Sequence, residues 1–495
     1  REFADLMKTL VIGLDGAAPE ILLEDDRLSN IRCLMEAGAF GKLESIVPPI
    51  TVPAWLCMAT SRDPGSIGLY GFRNRLDRSY DRQGMVDSRS VSDLTIWDQV
   101  AREGKRSILL GVPPCYPPRK VNGVAVGCFL TPDTSKNVYT HPPEIRETID
   151  KLVGSYPVDV TGFKTGDKAK MIADIDEMTR KQFTVFRHLL QNEDWDYAQI
   201  VSIGLDRLQH AFWSHHDPLH VRHRADSPFK QVILDHYLQL DDEVGRLLEL
   251  SDDETTVLVL SDHGARRLDG GFCINQWLVE QGLLVLNRQP ELVTPFSKLD
   301  VAWDRTTAWS EGGYYARVYL NVKGREPRGS VAKADLERVV EDLKARLEAT
   351  TDAEGRPLGT LVFRPEEVYR EVRGVAPDLV VHFGGLAWRS VGGVGYPTLH
   401  VQEDETGPDD CNHAQHGAFV LASPGLAPLG EIEGAHLLDM APTLLELGGY
   451  DVPGSMQGTS LTSGLAAKVA AGFDGAAQDD DELVRSRLGG LGYLS

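Results

Sequence analysis

Several side chains in this sequence are of the types that hold divalent metal ions. Most of them stand where a predicted strand ends. Asp15 closes the apolar run "VIGLDG". Asp206 and His210 are spaced D-x-x-x-H in "GLDRLQHAFW", which places both on one face if a helical turn begins at Asp206. Asp262 and His263 are adjacent in "LSDHG", and His413 and His416 precede another strand in "CNHAQHGAFVLASPG". Thr51 lies between prolines in "IVPPITVPAW", where a turn at a helix head presents a hydroxyl and backbone N–H groups to an anion.

The chemistry these groups suit is hydrolysis of a phosphoric ester. Two divalent ions ~3.5–4 Å apart can supply a nucleophile, neutralise charge and stabilise a leaving group. Zinc accepts His nitrogen and carboxylate oxygen, usually about four ligands with one position left for substrate. Two such sites need about six protein ligands and a bridging nucleophile. Each element alone is common. An Asp at a strand end is more often a turn or cap acid, and D-x-x-x-H arises by chance. His413 and His416 could equally occupy a surface loop. His215, His216, His220 and His223 read as a polar loop. The ordered set is the specific signal.

Positioning these residues takes a sheet. Short β-branched apolar runs end in polar loops at 9–16, 107–113, 124–130, 197–206, 255–264, 378–385 and 417–425. Such continuous runs fit strands covered on both faces. Segments 174–192 and 232–250 between them show helical spacing, and 437–449 ends in a Gly pair suited to a helix stop. The alternation predicts an α/β fold, a largely parallel central sheet with helices on both faces. Ligands then sit at the carboxyl ends of the strands, where the acids and histidines cluster. Residues 7–270 and 371–464 read as the two parts of this core. Residues 271–370, with the charged helix 331–350, read as an inserted cap, and 465–495 as a C-terminal tail. Segment 131–172 reads as a smaller, loop-rich insertion.

The 495 residues suffice for a large core without staples. Hydrophobic residues are 42% and charged residues 25%, which excludes a mostly disordered chain. No apolar run approaches the ~18 residues that span a bilayer, so no membrane partner is expected. The net charge of −22 disfavours a nucleic-acid polymer, because an acidic surface repels a phosphate backbone. A small anionic substrate is compatible, since a bound metal reverses the local field. Six cysteines without a C-x-x-C pair suggest buried, reduced thiols and a cytoplasmic protein. Met7 reads as a native start after a six-residue tag, with no export signal.

The chain resembles the alkaline phosphatase superfamily, within it the type I phosphodiesterase/nucleotide pyrophosphatase branch. The matching pieces are "VIGLDGA", "PPITVPAW", "DPGSIGLYGF", "NGVAVGCFLTP", "GLDRLQHAFW", "LSDHG", "NVKGREPRG", "HAQHGAFVLASPG" and "LLDMAPTLLELGGYDVPGSMQG". The resemblance implies that Asp15, Asp262 and His263 hold one ion, with Thr51 bound to it as nucleophile. It implies that Asp206, His210 and His413 hold the other, with His416 as the fallback for His413. Asn74 would match a side chain that hydrogen-bonds a phosphoryl oxygen. The implied cofactors are two divalent ions, zinc first, with manganese or iron as alternatives. The implied partner is a small phosphorylated substrate, with a nucleotide as one candidate.

Some positions depart from the branch. Ile67 stands where many relatives have His, and Gln457 where an acid is common. Val52 follows the nucleophile where nucleotide-handling relatives often have an aromatic. Trp55, Tyr70, Phe72 and Tyr116 are candidates for that stacking, though each reads first as core or wall. A sulfatase is disfavoured because the site reads Thr51-Val-Pro-Ala-Trp without the Cys or Ser that becomes formylglycine. Two further readings stand beside a phosphodiesterase: a phosphomonoesterase or phosphonoacetate hydrolase-like C–P hydrolase using the same metals, and a non-catalytic phospholigand-binding protein.

Overall fold

The computed structural model describes residues 7–90, 92–160, 167–403 and 409–462. The expected tail and the residues before Met7 lie outside the described residues. The apolar runs assemble a ten-stranded sheet. Its order is Gly430–Glu431, Ala39–Glu44, His416–Ala422, Thr256–Leu260, Thr9–Leu14, Tyr197–Ser202, Ser107–Leu110, Gly123–Val126 and Thr140–His141. Ala435–His436 also pairs with Ala39–Glu44. The five strands from Thr256–Leu260 to Gly123–Val126 are parallel, and the strands flanking these five are antiparallel. This is the expected mixed α/β class.

Alternation along one strand shows why the sheet is covered twice. Leu10, Ile12 and Leu14 point into a core shared with Phe183, Phe212 and Tyr237 from the helices Lys168–Asn192, Gly204–His216 and Val232–Leu248. Val11 points into the opposite core with Trp55, Met58 and Leu444 from the helices Thr51–Thr60 and Met440–Leu447. Burying each such aliphatic side chain contributes about 1.5–3 kcal/mol relative to exposure.

One apolar run goes elsewhere. Leu379–His382, expected beside the parallel strands, pairs antiparallel with Ala316–Leu320 and Leu361–Phe363. With Ala308–Glu311 they form a separate four-stranded sheet. A run buried on both faces does not say which sheet will cover it. Trp388–Val391, Gly270–Cys273 and His400–Val401 form a further three-stranded sheet. These two sheets enclose their own core around Phe272, Trp309, Leu320, Leu343 and Phe383. The charged stretch near 331–350 supplies the helix Leu336–Glu348, which buries Val340, Leu343 and Leu347 at helical spacing.

A hairpin from the first part of the chain clasps this second body. Between its strands Arg73–Arg75 and Gln83–Met85, Tyr80 stacks on Trp303 with ring centroids 3.6 Å apart. The Tyr80 hydroxyl donates to Asn321 Oδ1 and accepts from the Arg328 N–H. A cleft of about 890 Å³ lies along this seam, lined by Tyr80, Met85, Phe296, Trp303 and Arg317. None of the candidate ligands lines it.

None of the six cysteines, all among the described residues, is in a disulfide. Five are buried as expected, and Cys33 is exposed, on the outer face of the helix Ser29–Ala37. No helix among the described residues is long and apolar enough to cross a membrane.

Candidate metal centre

Three neighbouring parallel strands deliver most of the centre. Their registers set Leu14 beside Ser202 and Gly13 beside Leu260. Asp15, the turn into Asp206, and Asp262–His263 therefore emerge side by side at one edge of the sheet. Asp206 and His210 occupy one face of the helix Gly204–His216, as their spacing predicts. Thr51 is the first residue of a helix that is buried on every side. Pro53 sits in its first turn, where a missing N–H costs no helical hydrogen bond. His413 arrives by a ribbon. Gly264–Arg267 pairs antiparallel with Cys411–Ala414, setting Ala265 opposite His413 and closing a long sequence separation.

Each ligand-type side chain has one polar atom tied outward and one facing the centre. Trp55 Nε1 donates to Asp15 Oδ2 at 2.8 Å, while Asp15 Oδ1 lies 3.4 Å from Thr51 Oγ1. The Gly16 N–H donates to Asp262 Oδ1, and Asp262 Oδ2 lies 3.3 Å from His263 Nε2. Arg207 donates to Asp206 Oδ2, while Asp206 Oδ1 lies 3.4 Å from His210 Nε2 and 3.8 Å from His413 Nε2. On the imidazoles Nδ1 is the tied atom. It meets the Gly264 carbonyl in His263, the Pro49 carbonyl in His413 and Asp409 Oδ1 in His210. Such contacts fix the tautomer that leaves Nε2 as the lone-pair donor. Thr51 Oγ1 is 3.1 Å from His263 Nε2.

The electrostatics ask for a cation. Three buried carboxylates converge, and Arg207 is the basic side chain paired with one of them. Burial first, and the Asp206 charge second, push the Asp15 carboxyl well above its ordinary value. Burial and the Asp15 charge do the same to Asp262. Burial pushes His263 down to about 4, so its imidazole is neutral near pH 7. Asp262 Oδ2 is buried with no hydrogen-bond partner, an expensive state for a carboxylate oxygen. A divalent ion would satisfy it and reverse the local pKa logic. Two triads have ligand atoms within 4.8 Å of one another: Asp206, His210 and His413, and Asp15, Asp206 and His263. Asp206 thus reaches both halves of the cluster. The donor set of carboxylate oxygens and imidazole nitrogens fits zinc.

The other sequence candidates are not among the ligand-type side chains of this cluster. His416 is exposed and pairs across the sheet with Glu44. Asn74 is hydrogen-bonded within its own loop: Oδ1 accepts from the Tyr70 N–H and Nδ2 donates to the Gly71 carbonyl. Trp55 is fully buried and serves Asp15 rather than a stacking surface. Tyr70 is buried, with its hydroxyl on the Arg373 carbonyl; Phe72 packs on Phe129, and Tyr116 is half-buried. Ile67 is a core residue, and Gln457 ties Asp63 to Ser66.

The histidine group at 215–223 is not simply a polar loop. His215 and His216 end the helix Gly204–His216, and His215 and His220 are buried. His215 meets Ser227, His220 the Asp410 carbonyl and His223 the Ser214 carbonyl.

Sequence reasoning missed three residues. Asp409 meets His210. Arg207 bridges Asp206 and Asp159. Tyr314 lies over both His210 and His413, with centroids 5.0 and 4.6 Å away. The acidic pair just before "CNHAQHG" was the one available signal for Asp409.

Residues 9–418 match the family model described as type I phosphodiesterase / nucleotide pyrophosphatase. Human ectonucleotide pyrophosphatase/phosphodiesterase 5 superposes with a TM-score of 0.52 at 13% identity, over 92% of this chain and 98% of that one. An inactive variant of the murine protein in complex with AMP gives 0.52 at 13% identity, over 93% and 98%. Phosphonoacetate hydrolase from Sinorhizobium meliloti, in complex with phosphonoformate, gives 0.55 at 15% identity, over 90% and 96%. These likenesses show a shared fold. No curated protein matches the sequence.

Proposed function

The chain belongs to the type I phosphodiesterase/nucleotide pyrophosphatase family, and from that premise we propose that it hydrolyses a small-molecule phosphodiester through a phosphothreonine on Thr51. The carrying observation is Thr51 Oγ1 at 3.1 Å from His263 Nε2 and 3.4 Å from Asp15 Oδ1, at the buried start of a helix. Asp15, Asp262 and His263 would hold one divalent ion beside Thr51, and Asp206, His210 and His413 a second. Bound there, such ions would lower the pKa of the threonine hydroxyl and neutralise charge developing on the phosphoryl and leaving oxygens.

The chain's own residues then do the following. The bond between Thr51 Oγ1 and phosphorus forms as the ester bond opposite it breaks, and the departing alkoxide leaves as the alcohol, its proton balancing the one that Thr51 gives up. Water then cleaves the Thr51–phosphate bond and restores the hydroxyl. Two in-line displacements retain configuration at phosphorus. The rigid helix start holds Thr51 in attack geometry, which lowers the entropic part of the barrier. An AMP-bound neighbour supports a nucleotide as one substrate class. The chain charge of −22 favours a small molecule over a polymer.

The test compares bis-p-nitrophenyl phosphate with p-nitrophenyl phosphate, using metal-analysed wild type and Thr51→Ala. Diester preference that disappears in Thr51→Ala, with about two metals per chain, is expected. Monoester preference would move the function to a phosphatase at the same centre. Equal activity in the two proteins would remove Thr51 from the mechanism.

A further inference from the structure

We propose that Asp409 is a positioning residue of this centre, holding His210 so that its Nε2 faces the cluster, and that Arg389 on the strand Trp388–Val391 holds Asp409 in turn. The inference rests on the reading that the cluster binds divalent metal.

The contact is short and dry. His210 Nδ1 and Asp409 Oδ1 are 2.7 Å apart, and each side chain is 1% exposed. His263 and His413 use backbone carbonyls for the same purpose; His210 uses a carboxylate. A carboxylate acceptor at Nδ1 fixes the ring and makes Nε2 a stronger donor than a carbonyl does. Asp409 therefore distinguishes one half of the cluster chemically.

Its placement is secured from both bodies. The adjacent Asp410 N–H donates to the His210 carbonyl at 2.9 Å. The Asp410 carboxylate accepts from Ser214 and from Arg222, and the Asp409 carbonyl accepts from Arg222. The turn 409–410 is thus fastened to the helix that carries Asp206 and His210. From the other side Arg389, on the strand Trp388–Val391, brings Nη1 to 3.8 Å from Asp409 Oδ2. Tyr314 lies over the His210 ring, and its carbonyl accepts from Asn412.

Asp409 adds a buried acid to a region that already holds Asp15, Asp206 and Asp262, and such a charge needs close compensation. Arg389 supplies part of it, and a cation held by His210 and Asp206 would add to it.

The test is zinc binding, read by competition with a chromophoric chelator and by elemental analysis, in wild type, Asp409→Asn, Asp409→Ala and Arg389→Gln. Two ions per wild-type chain are expected. Asp409→Ala should weaken one of the two by about 10–100-fold and leave the other near wild type. Asp409→Asn, which keeps an acceptor, should lose less, and Arg389→Gln should weaken the same site by a smaller factor. Wild-type affinity at both sites in Asp409→Ala overturns the proposal. So does an equal loss at both sites with a lower melting temperature of the chelated protein, the signature of a structural role. If Asp409→Ala does not fold, an unchanged zinc isotherm in Arg389→Gln and Asp409→Asn overturns it instead. Zinc-free wild type would sink the metal reading itself, a distinct outcome.

Discussion

The imidazoles of His263 and His413 lie face to face, their centroids 3.7 Å apart and their planes 14° from parallel. Two cations cannot share that contact. Burial pushes His263 down to about 4. Burial first, then His263, holds His413 well below its ordinary value. Both rings are neutral near pH 7, with Nδ1 tied outward and Nε2 available. The stack is a pair of lone-pair donors placed by a two-stranded ribbon, one ring beside Thr51 and the other beside Asp206.

Thr51→Ala should lower kcat on the best ester substrate by at least about a thousandfold, because in the proposed mechanism the group removed forms the bond to phosphorus. Thr51→Ser keeps a hydroxyl in the same frame and should retain measurable turnover. Rapid acid quench of wild type with labelled substrate should trap label on the protein, and Thr51→Ala should trap none. Label carried equally by both proteins would contradict the assignment.

Metal removal should destabilise the protein more at higher pH. The sign follows from the raised carboxyls of Asp15 and Asp262. In the chelated protein the folded state binds their protons more tightly than the unfolded chain does. The burial penalty is therefore absent below the ordinary carboxyl range and grows as pH rises through the raised values. A bound cation competes with those protons. The melting-temperature gap between zinc-loaded and chelated protein should be wider near pH ~7.5 than near pH ~5.5. A gap independent of pH would show that these carboxyls do not meet the metal.

Trp55→Phe should cost about 1–3 kcal/mol in chemical denaturation, since it leaves a buried carboxylate oxygen of Asp15 without its donor. It should also weaken zinc binding, because an untethered Asp15 can turn Oδ1 away from Thr51. Unchanged stability would show that the indole serves packing alone.

Arg207→Met removes the guanidinium that joins Asp206 to Asp159, two carboxylates on different segments. The loss should be about 1.5–3 kcal/mol, the worth of hydrogen bonds to charged groups at a largely buried site. Adding Asp159→Asn should then cost less than it does in wild type. Additive losses in the double-mutant cycle would mean that the two residues do not act through each other.

Much of the centre was legible because two periodicities are local. Asp206 and His210 share a helix face through the 3.6-residue turn, whatever the rest of the chain does. Asp15 and Asp262–His263 stand where continuous apolar runs stop, and parallel sheets gather such stops at one edge. Trp55 takes the core place that its helix predicts: an all-apolar helix buries every face, so its indole N–H needs an internal partner, and Asp15 is the acceptor it meets.

Residue types, strand ends and helix spacing, all set by covalent order and short-range sterics, determined the α/β class and the identities of Asp15, Thr51, Asp206, His210, Asp262 and His263 as a candidate set. Tertiary structure decided what depends on long-range pairing. The antiparallel ribbon selected His413 for the cluster and left His416 on the surface, although the two are three residues apart. The antiparallel strands Ala316–Leu320 and Leu361–Phe363 captured Leu379–His382. Asp409 met His210 across a separation of 199 residues. In each case the deciding contact lies between segments whose local patterns are compatible with several partners, and only the packing of the whole chain chooses among them.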